Sequence, residues 1–329
     1  MSTDRRNVST DRKNVSTDRK DPRTDRKDLR TVPKPAGPSH LTSRKIRSAD
    51  GTPLHVEVHG PSDAPTVVLA HGWTCSTRFW AAQVAALSHE LRVVVYDQRG
   101  HGRTPLARVG TDVLADDLEA VLAAVLAPGQ RAVLAGHSMG AMTIMAAADR
   151  PAVVERTAAA LLCSTGASHL AEESLVFPLR RGRLRSKLTH AVLGSRAPLG
   201  PVTPLSKRLL KYATMGRAAT RAQVSACARI VHSCPRATRV AWGGVLAELD
   251  LTDGVRKLAV PTVVVAGTAD RLSPPVHAHR MVTHLPDCRE LVLLAGAGHM
   301  TPVETPDAIT AKLRELVAAH LAEEAGEAA

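Results

Sequence analysis

The sequence predicts an α/β protein in which helices cover both faces of a mostly parallel β-sheet. Apolar runs of strand length alternate with stretches of helical spacing through residues 66–163. Two more runs of strand length follow at 261–266 and 290–295, which predicts that the sheet resumes near the C-terminus. Because 44% of the 329 residues are hydrophobic, the chain can form a large buried core.

Two further elements are expected at the ends of this alternating region. The dipeptide Asp50-Gly51 is typical of a hairpin turn, and it predicts paired strands near 43–48 and 54–59. The segment 306–322 has apolar residues at the spacing of an amphipathic helix, so we expect a helix to close the fold.

The most informative motif is Gly136-His137-Ser138-Met139-Gly140, directly after an apolar run that predicts a strand. A G-x-S-x-G sequence at the end of a strand is how a sharp turn presents a serine hydroxyl at the edge of a sheet. The glycines leave room for the strained backbone of such a turn. Ser138 is therefore the candidate nucleophile.

A serine hydroxyl is a weak nucleophile until a base takes its proton and a third group orients that base. Asp270 follows the predicted strand 261–266, and His299 lies in the glycine-rich loop after 290–295. The sequence thus predicts His299 as the base and Asp270 as its orienting carboxylate. Asp253 is the alternative acid, but it precedes a strand and is expected to lie in a turn.

Two motifs upstream complete a resemblance to the serine-nucleophile branch of the α/β-hydrolase superfamily. Residues 67–73 are Val-Val-Leu-Ala-His-Gly-Trp, and residues 93–102 are Val-Val-Val-Tyr-Asp-Gln-Arg-Gly-His-Gly. Both resemble family motifs, and the order Ser, Asp, His is that of the family. The resemblance covers about residues 43–324, but 170–245 match in position only.

This resemblance implies an oxyanion hole made by the backbone N–H groups of Trp73 and Met139. It also implies that His71, His101 and His137 are structural hydrogen-bonding residues of the motifs. Asp97 would organise the loop in which it lies. Cys75 stands where many relatives carry a small residue such as glycine, a difference expected to alter the shape of the pocket.

Residues 170–245 are predicted to form a helical lid inserted between two strands of the core, which comprises 39–169 and 246–329. Residues 174–247 carry fourteen lysines and arginines and no acidic residue. This charge fits a solvated outer face; the alternative is attraction for an anionic substrate or an acidic lipid surface. The inner face would line the pocket, where Phe177, Tyr212 and Trp242 are the aromatic residues of interest. Phe79 and Trp80, soon after the oxyanion loop, are candidates too, and buried packing is the expected role of each of the five.

Residues 1–38 are predicted to be a disordered tail and linker. Four units of seven residues, three beginning Ser-Thr-Asp-Arg and the fourth Arg-Thr-Asp-Arg, offer at most one apolar residue each, which is too few for a coiled coil. The tail lacks the apolar stretch of a secretory signal, and no run of eighteen apolar residues predicts an integral membrane segment. We therefore expect a cytoplasmic protein, although peripheral contact through the basic lid stays open.

Composition excludes several other classes. Five cysteines without metal-binding spacing predict reduced thiols, and no metal or organic cofactor is expected. The net charge of +12 is concentrated in the tail and lid, which argues against a nucleic-acid binder. Glycine-rich phosphate-binding motifs are absent from the sequence.

These observations predict a serine hydrolase that cleaves an ester or related small acyl substrate through an acyl-enzyme. Thioester hydrolysis, carbon–carbon bond hydrolysis and cofactor-free perhydrolysis use the same three residues on this fold, so the sequence leaves them open. A hydrolase-like protein that binds a ligand without turning it over is a further alternative. The sequence predicts neither the natural substrate nor the oligomeric state.

Overall fold

The computed structural model of the protein describes residues 41–321. The predictions of a disordered tail at 1–38 and of core structure at 322–329 lie outside the described residues. Within the described part, eight strands form one sheet: β1 (Thr42–Arg47), β2 (Pro53–His59), β3 (Thr66–Ala70), β4 (Arg92–Tyr96), β5 (Ala132–His137), β6 (Thr157–Cys163), β7 (Thr262–Gly267) and β8 (Cys288–Leu294).

The strand order across the sheet is β1-β2-β4-β3-β5-β6-β7-β8. The hairpin strands β1 and β2 are antiparallel, β2 is antiparallel to β4, and all later neighbours are parallel. Strands β3 to β7 are buried along their whole length, as expected where both faces of a parallel sheet are covered. The predicted mostly parallel sheet is confirmed.

Helices pack on both faces of this sheet, and alternate strand residues supply two separate hydrophobic clusters. Outside the segment between β6 and β7, the helices that contribute are α1 (Ala81–Leu87), α2 (Thr111–Val125), α3 (Met139–Ala146), α4 (Pro151–Arg156), α11 (Pro275–Val282), α12 (Thr301–Glu304) and α13 (Pro306–His320). The first cluster joins α2, α3 and α11 to one face, and the second joins α1 and α13 to the other. Strands β3 to β7 therefore bury both of their faces.

Between β6 and β7 the chain leaves the sheet and forms five helices, which we call the helical insertion (residues 170–248). They are α5 (Leu170–Glu173), α6 (Arg183–Leu193), α7 (Pro204–Thr214), α8 (Arg221–Ser233) and α9 (Arg236–Glu248). A short helix, α10 (Thr252–Lys257), then leads back to the sheet. The predicted helical character of this segment agrees with the structure.

Helix α9 is fixed to the turn that follows β4. The indole Nε1 of the buried Trp242 donates to the backbone oxygen of Arg99 at 2.8 Å, and Thr238 Oγ1 donates to the backbone oxygen of Gly100 at 2.7 Å. The buried guanidinium of Arg99 in turn pairs with Asp117 at 2.6 Å. Trp242 therefore holds the base of the helical insertion to the core, and its burial agrees with the expected role. It does not line the cavity described below.

Candidate active site

Ser138 occupies a strained turn between β5 and α3. Its backbone angles are φ 52° and ψ −116°, a conformation that costs on the order of 1–3 kcal/mol for a residue other than glycine. A Cβ at Gly140 would lie 2.0 Å from the backbone oxygen of Ala70, and one at Gly136 would lie 2.3 Å from the backbone nitrogen of Ala141. Both glycines are thus required by close backbone packing, which lets the turn hold Ser138 above the sheet.

His299 and Asp270 form a buried pair at the carboxyl ends of β8 and β7. The Nδ1 atom of His299 lies 2.8 Å from Oδ2 of Asp270, and the two side chains are 7% and 0% exposed. The other oxygen of Asp270 accepts the backbone N–H groups of Leu272 and Ser273 at 2.8 and 3.0 Å. Because an ionised carboxylate only accepts hydrogen bonds, Nδ1 of a neutral His299 carries the proton. Nε2 is then unprotonated, and its lone pair can accept a proton.

Ser273 is a member of this cluster that the sequence analysis did not single out. Its hydroxyl lies 2.9 Å from Oδ2 of Asp270 and 3.1 Å from Nδ1 of His299. It therefore contacts both partners of the pair. Its position three residues after Asp270 was visible in the sequence, but serine is also common in turns before Pro-Pro, so the signal was not specific.

The oxyanion-hole candidates, Trp73 and Met139, both have available backbone donors. Within residues 41–321, neither of their backbone N–H groups donates to a protein acceptor. The loop carrying Trp73 passes against the nucleophile, because a Cβ added at Gly72 would lie 3.1 Å from Cβ of Ser138. Met139 is the first residue of α3, where helical N–H groups have no partner of their own.

Two motif histidines are buried and act as hydrogen-bond bridges. His71 donates from Nδ1 to the backbone oxygen of Gly72 at 2.8 Å and accepts the N–H of Gln98 at Nε2 at 3.0 Å. His101 donates to the backbone oxygen of Arg99 at 3.1 Å and accepts the N–H of Thr74 at 3.1 Å. Burial lowers the pKa of His71 to about 4 and that of His101 to about 3. Both histidines are therefore neutral, and their hydrogen bonds hold the loop after β3, as the sequence predicted.

His137 links the turn at Ser138 to the loop of His299. Its Nε2 atom lies 2.9 Å from the backbone oxygen of His299, and its ring stacks on Phe79 with centroids 4.4 Å apart. Burial lowers the pKa of His137 well below its usual value. On the other side of the loop, the N–H of His299 donates to the backbone oxygen of Thr214 at 2.8 Å. The backbone of His299 is therefore held from both the core and the helical insertion.

Ser138, His299 and Ser273 face a common cavity of about 450 Å³ beneath the helical insertion. Its wall is mostly apolar and comes largely from α6, α7 and the segment around Phe177. The apolar lining residues are Trp73, Met142, Leu170, Val176, Phe177, Val192, Leu193, Leu199, Leu209, Leu210, Ala213, Val231, Leu246, Leu272 and Met300. Such a cavity can enclose an apolar group next to a polar reacting centre.

The structure separates the remaining sequence candidates. Asp253 is 82% exposed and pairs with Arg256 at 2.8 Å, away from the cavity lining, which leaves Asp270 as the carboxylate beside His299. Asp97 accepts backbone N–H groups of its own and a neighbouring loop at 2.8 Å each, so it organises loops as expected.

Tyr212 is 43% exposed and stacks on Arg271, contrary to the prediction that it packs in the interior. Cys75 is buried in the core and does not line the cavity.

The strained serine turn and the buried histidine–carboxylate pair at the carboxyl edge of a parallel sheet define a protein of the α/β-hydrolase type. The sequence matches the α/β hydrolase family over residues 67–312. The RutD protein of Variovorax paradoxus strain S110, which carries the name of a carbamate hydrolase, is 31% identical over 252 residues, 75% of this chain and 89% of that protein. The chain belongs to the α/β hydrolase family and is a hydrolase of that family.

Two further comparisons agree with this assignment. The 3-oxoadipate enol-lactonase 1 of Acinetobacter baylyi strain ATCC 33305 is 26% identical over 288 residues, which are 82% of this chain and 94% of that protein. A thermophilic esterase from Thermogutta terrifontis has the same fold, with a TM-score of 0.67 at 24% identity over 84% of this chain and 98% of the esterase. Among residues 41–321, no helix has both the length and the apolar content needed to cross a membrane.

Proposed function

We propose that the protein is a serine hydrolase that cleaves an ester or a related acyl compound through an acyl-enzyme. The observation that carries the proposal is the 2.8 Å contact between His299 and Asp270 in a cavity that also exposes the strained Ser138. In this proposal His299 removes the proton of Ser138 as its oxygen attacks the carbonyl carbon. The proton then passes from His299 to the leaving group.

The resulting oxyanion would be held by the N–H groups of Trp73 and Met139. Their lack of protein acceptors within the described residues supports this role, since donors prearranged for a developing charge need no reorganisation. Each donor would contribute on the order of 3 kcal/mol to lowering the barrier. His299 would then activate water to release the acyl group and regenerate Ser138.

We also propose that the helical insertion acts as a lid that shapes the substrate pocket. Most of the apolar cavity wall comes from its residues, whereas the reacting groups come from the sheet edge. The wall supports a substrate with an apolar acyl or alcohol part. The named relatives act, by their names, on a carbamate and an enol-lactone. Both compounds present a carbonyl carbon to a nucleophile, in keeping with the proposed chemistry.

Covalent labelling tests the nucleophile directly. A fluorophosphonate probe is expected to label the wild-type protein at Ser138, and Ser138→Ala should abolish the label. Ser174→Ala is the matched control, because Ser174 also lines the cavity but its hydroxyl donates to the backbone oxygen of Arg271 at 3.2 Å. A panel of esters with short and long acyl chains measures the substrate class. Labelling that survives in Ser138→Ala would refute the nucleophile.

Ser273 is expected to act as a positioning residue for His299. Its hydroxyl shares Oδ2 of Asp270 with Nδ1 of His299, so Ser273→Ala removes one hydrogen bond, worth about 1 kcal/mol, from the charged carboxylate. We expect kcat to fall about fivefold with little change in KM.

Ser273→Thr retains the hydroxyl and provides the matched control for this prediction. It should restore most of kcat. A loss of kcat in Ser273→Ala that Ser273→Thr does not recover would contradict a role for the hydroxyl group.

A further inference from the structure

The outer surface of the helical insertion exposes apolar side chains that soluble folds normally bury. Of the fourteen large apolar side chains classed as exposed among residues 41–321, nine lie between 175 and 212. Leu184, Leu205 and Leu209 are 64%, 66% and 60% exposed. Isolated exposed leucines are ordinary, but a concentration in one short segment indicates a surface that contacts something apolar.

Helix α7 carries this exposure on a single stripe. Leu205, Leu209 and Tyr212 are spaced as i, i+4 and i+7, and they are all exposed. Arg208 falls on the same stripe and is also exposed. On a surface helix the apolar stripe usually faces the core, with the charges outside. In α7 apolar and cationic side chains are exposed together, which is the composition of a helix that lies in a membrane interface.

The segment that carries this surface has charged side chains of one sign. Residues 174–247 contain fourteen lysines and arginines and no aspartate or glutamate. Within the part of the chain that the structure describes, Lys187, Lys207 and Arg208 have no carboxylate partner within 4 Å. These cations are therefore available to anionic groups, and a lipid headgroup supplies such charge next to an apolar layer.

The exposed apolar side chains also reach into the cavity. Val192, Leu199 and Leu209 line the cavity and are also 50%, 41% and 60% exposed to solvent. The entrance of the cavity therefore lies on the apolar and basic surface. A hydrophobic molecule that left a lipid layer at this point would enter the cavity without crossing water.

We propose that the outer face of α6 and α7 docks on the surface of a bilayer that contains anionic phospholipids. The leucines enter the boundary between headgroups and acyl chains, and the lysines and arginines contact the phosphates. Docking places the entrance of the cavity against the lipid. Binding to the bilayer does not depend on the catalytic roles given to Ser138 and His299. It can therefore be tested separately from the proposed hydrolysis.

The test is sedimentation of the full-length protein with vesicles of phosphatidylcholine alone and with one quarter phosphatidylglycerol, at low and high salt. Wild type is expected to bind the anionic vesicles, with binding weakened by salt. Lys207→Gln with Arg208→Gln should weaken binding about 30-fold, since each cation near an anionic surface contributes about fivefold. Leu184→Ser with Leu205→Ser should weaken it about tenfold or more.

Matched controls use exposed residues outside the helical insertion. Arg44→Gln with Lys45→Gln removes two exposed cations from β1, and Val154→Ser removes an exposed apolar side chain from α4. These variants should bind like wild type, because they leave α6 and α7 unchanged. The N-terminal tail and its charges are also the same in every protein compared. Hydrolysis of a short soluble ester should be unchanged in all the surface variants, which would show that they are folded.

Three outcomes would overturn the proposal. The first is that wild type does not bind anionic vesicles. The second is that the control pair on β1 weakens binding as much as the pair on α7, which would assign binding to general charge. The third is that the lysine and arginine variants weaken binding but the leucine variants do not, which would indicate a polyanion site without insertion into lipid.

Discussion

Ser138→Ala is expected to lower kcat for the best ester in the panel by about 10⁵-fold, with KM changed only slightly. The methyl side chain retains the packing of the turn but cannot form the acyl-enzyme. Because α3 and the N–H groups of Trp73 and Met139 would stay in place, a residual rate about 10³-fold above the uncatalysed reaction should persist. Steady-state kinetics with active-site titration measures both quantities.

The same assignment predicts that the catalytic residues act as a unit. His299→Ala should cost about as much as Ser138→Ala, and the double variant should be little worse than either single variant. Independent roles would instead give multiplied losses in the double variant, which would contradict the proposed proton transfer. Ser174→Ala, another serine on the cavity wall, should keep kcat within a few-fold of wild type.

Stability is expected to fall steeply as pH decreases from 7.5 to 5.5. Burial lowers the pKa of His71, His101 and His277 to between about 3 and about 4, and it also lowers that of His137. These groups stay neutral in the fold but take up protons near pH 6.5 when the chain unfolds. Their contribution to the free energy of unfolding is therefore complete above pH 6.5. It is lost as the pH falls toward the lower pKa values that these histidines have in the folded state.

Over that interval each of these histidines should cost about 1.4 kcal/mol of the free energy of unfolding, or roughly 5 kcal/mol for the four. This loss is large beside the total stability of an ordinary domain. For His71 and His101 the physical reason is visible, because each already accepts a backbone N–H at Nε2. Protonation would replace that bond with two donors facing each other.

Urea unfolding at several pH values measures this dependence. His277→Gln should reduce the loss between pH 7.5 and 5.5 by about 1.4 kcal/mol, since it removes one buried titrating group. His279→Gln is the matched control, because His279 lies on the same helix α11 but is exposed. Equal pH dependence in the two variants and the wild type would show that buried histidines do not govern acid stability.

Much of the fold could be predicted because its signals are local. The apolar runs predicted β3 to β7 to within about two residues, since a strand buried on both faces must be apolar throughout. The run at 290–295 also predicted the partly exposed edge strand β8 to within two residues. The strained turn at Ser138 was also predictable, because close backbone packing at Gly136 and Gly140 excludes other residue types. The 2.8 Å contact between Asp270 and His299 agrees with the expectation that both follow neighbouring parallel strands.

Other features depended on contacts between distant segments. The direction in which a side chain of the helical insertion points follows from packing. The expected burial of Trp242 is confirmed, but the same expectation for Tyr212 is wrong, because that side chain is 43% exposed. Helix α9 ends at Glu248, beyond the predicted boundary at 245, because its last turns continue to pack in the core.

By itself the sequence determined which segments form the sheet, which turn carries the serine and which two strand ends supply the carboxylate and the imidazole. These are properties of short stretches, set by hydrophobic periodicity and by the few residues that fit a strained turn. Only the tertiary structure decided that Ser273 joins the pair and that α7 turns leucines outward. Both facts depend on how segments far apart in the chain are brought together, a relation that the composition and spacing of either segment alone do not contain.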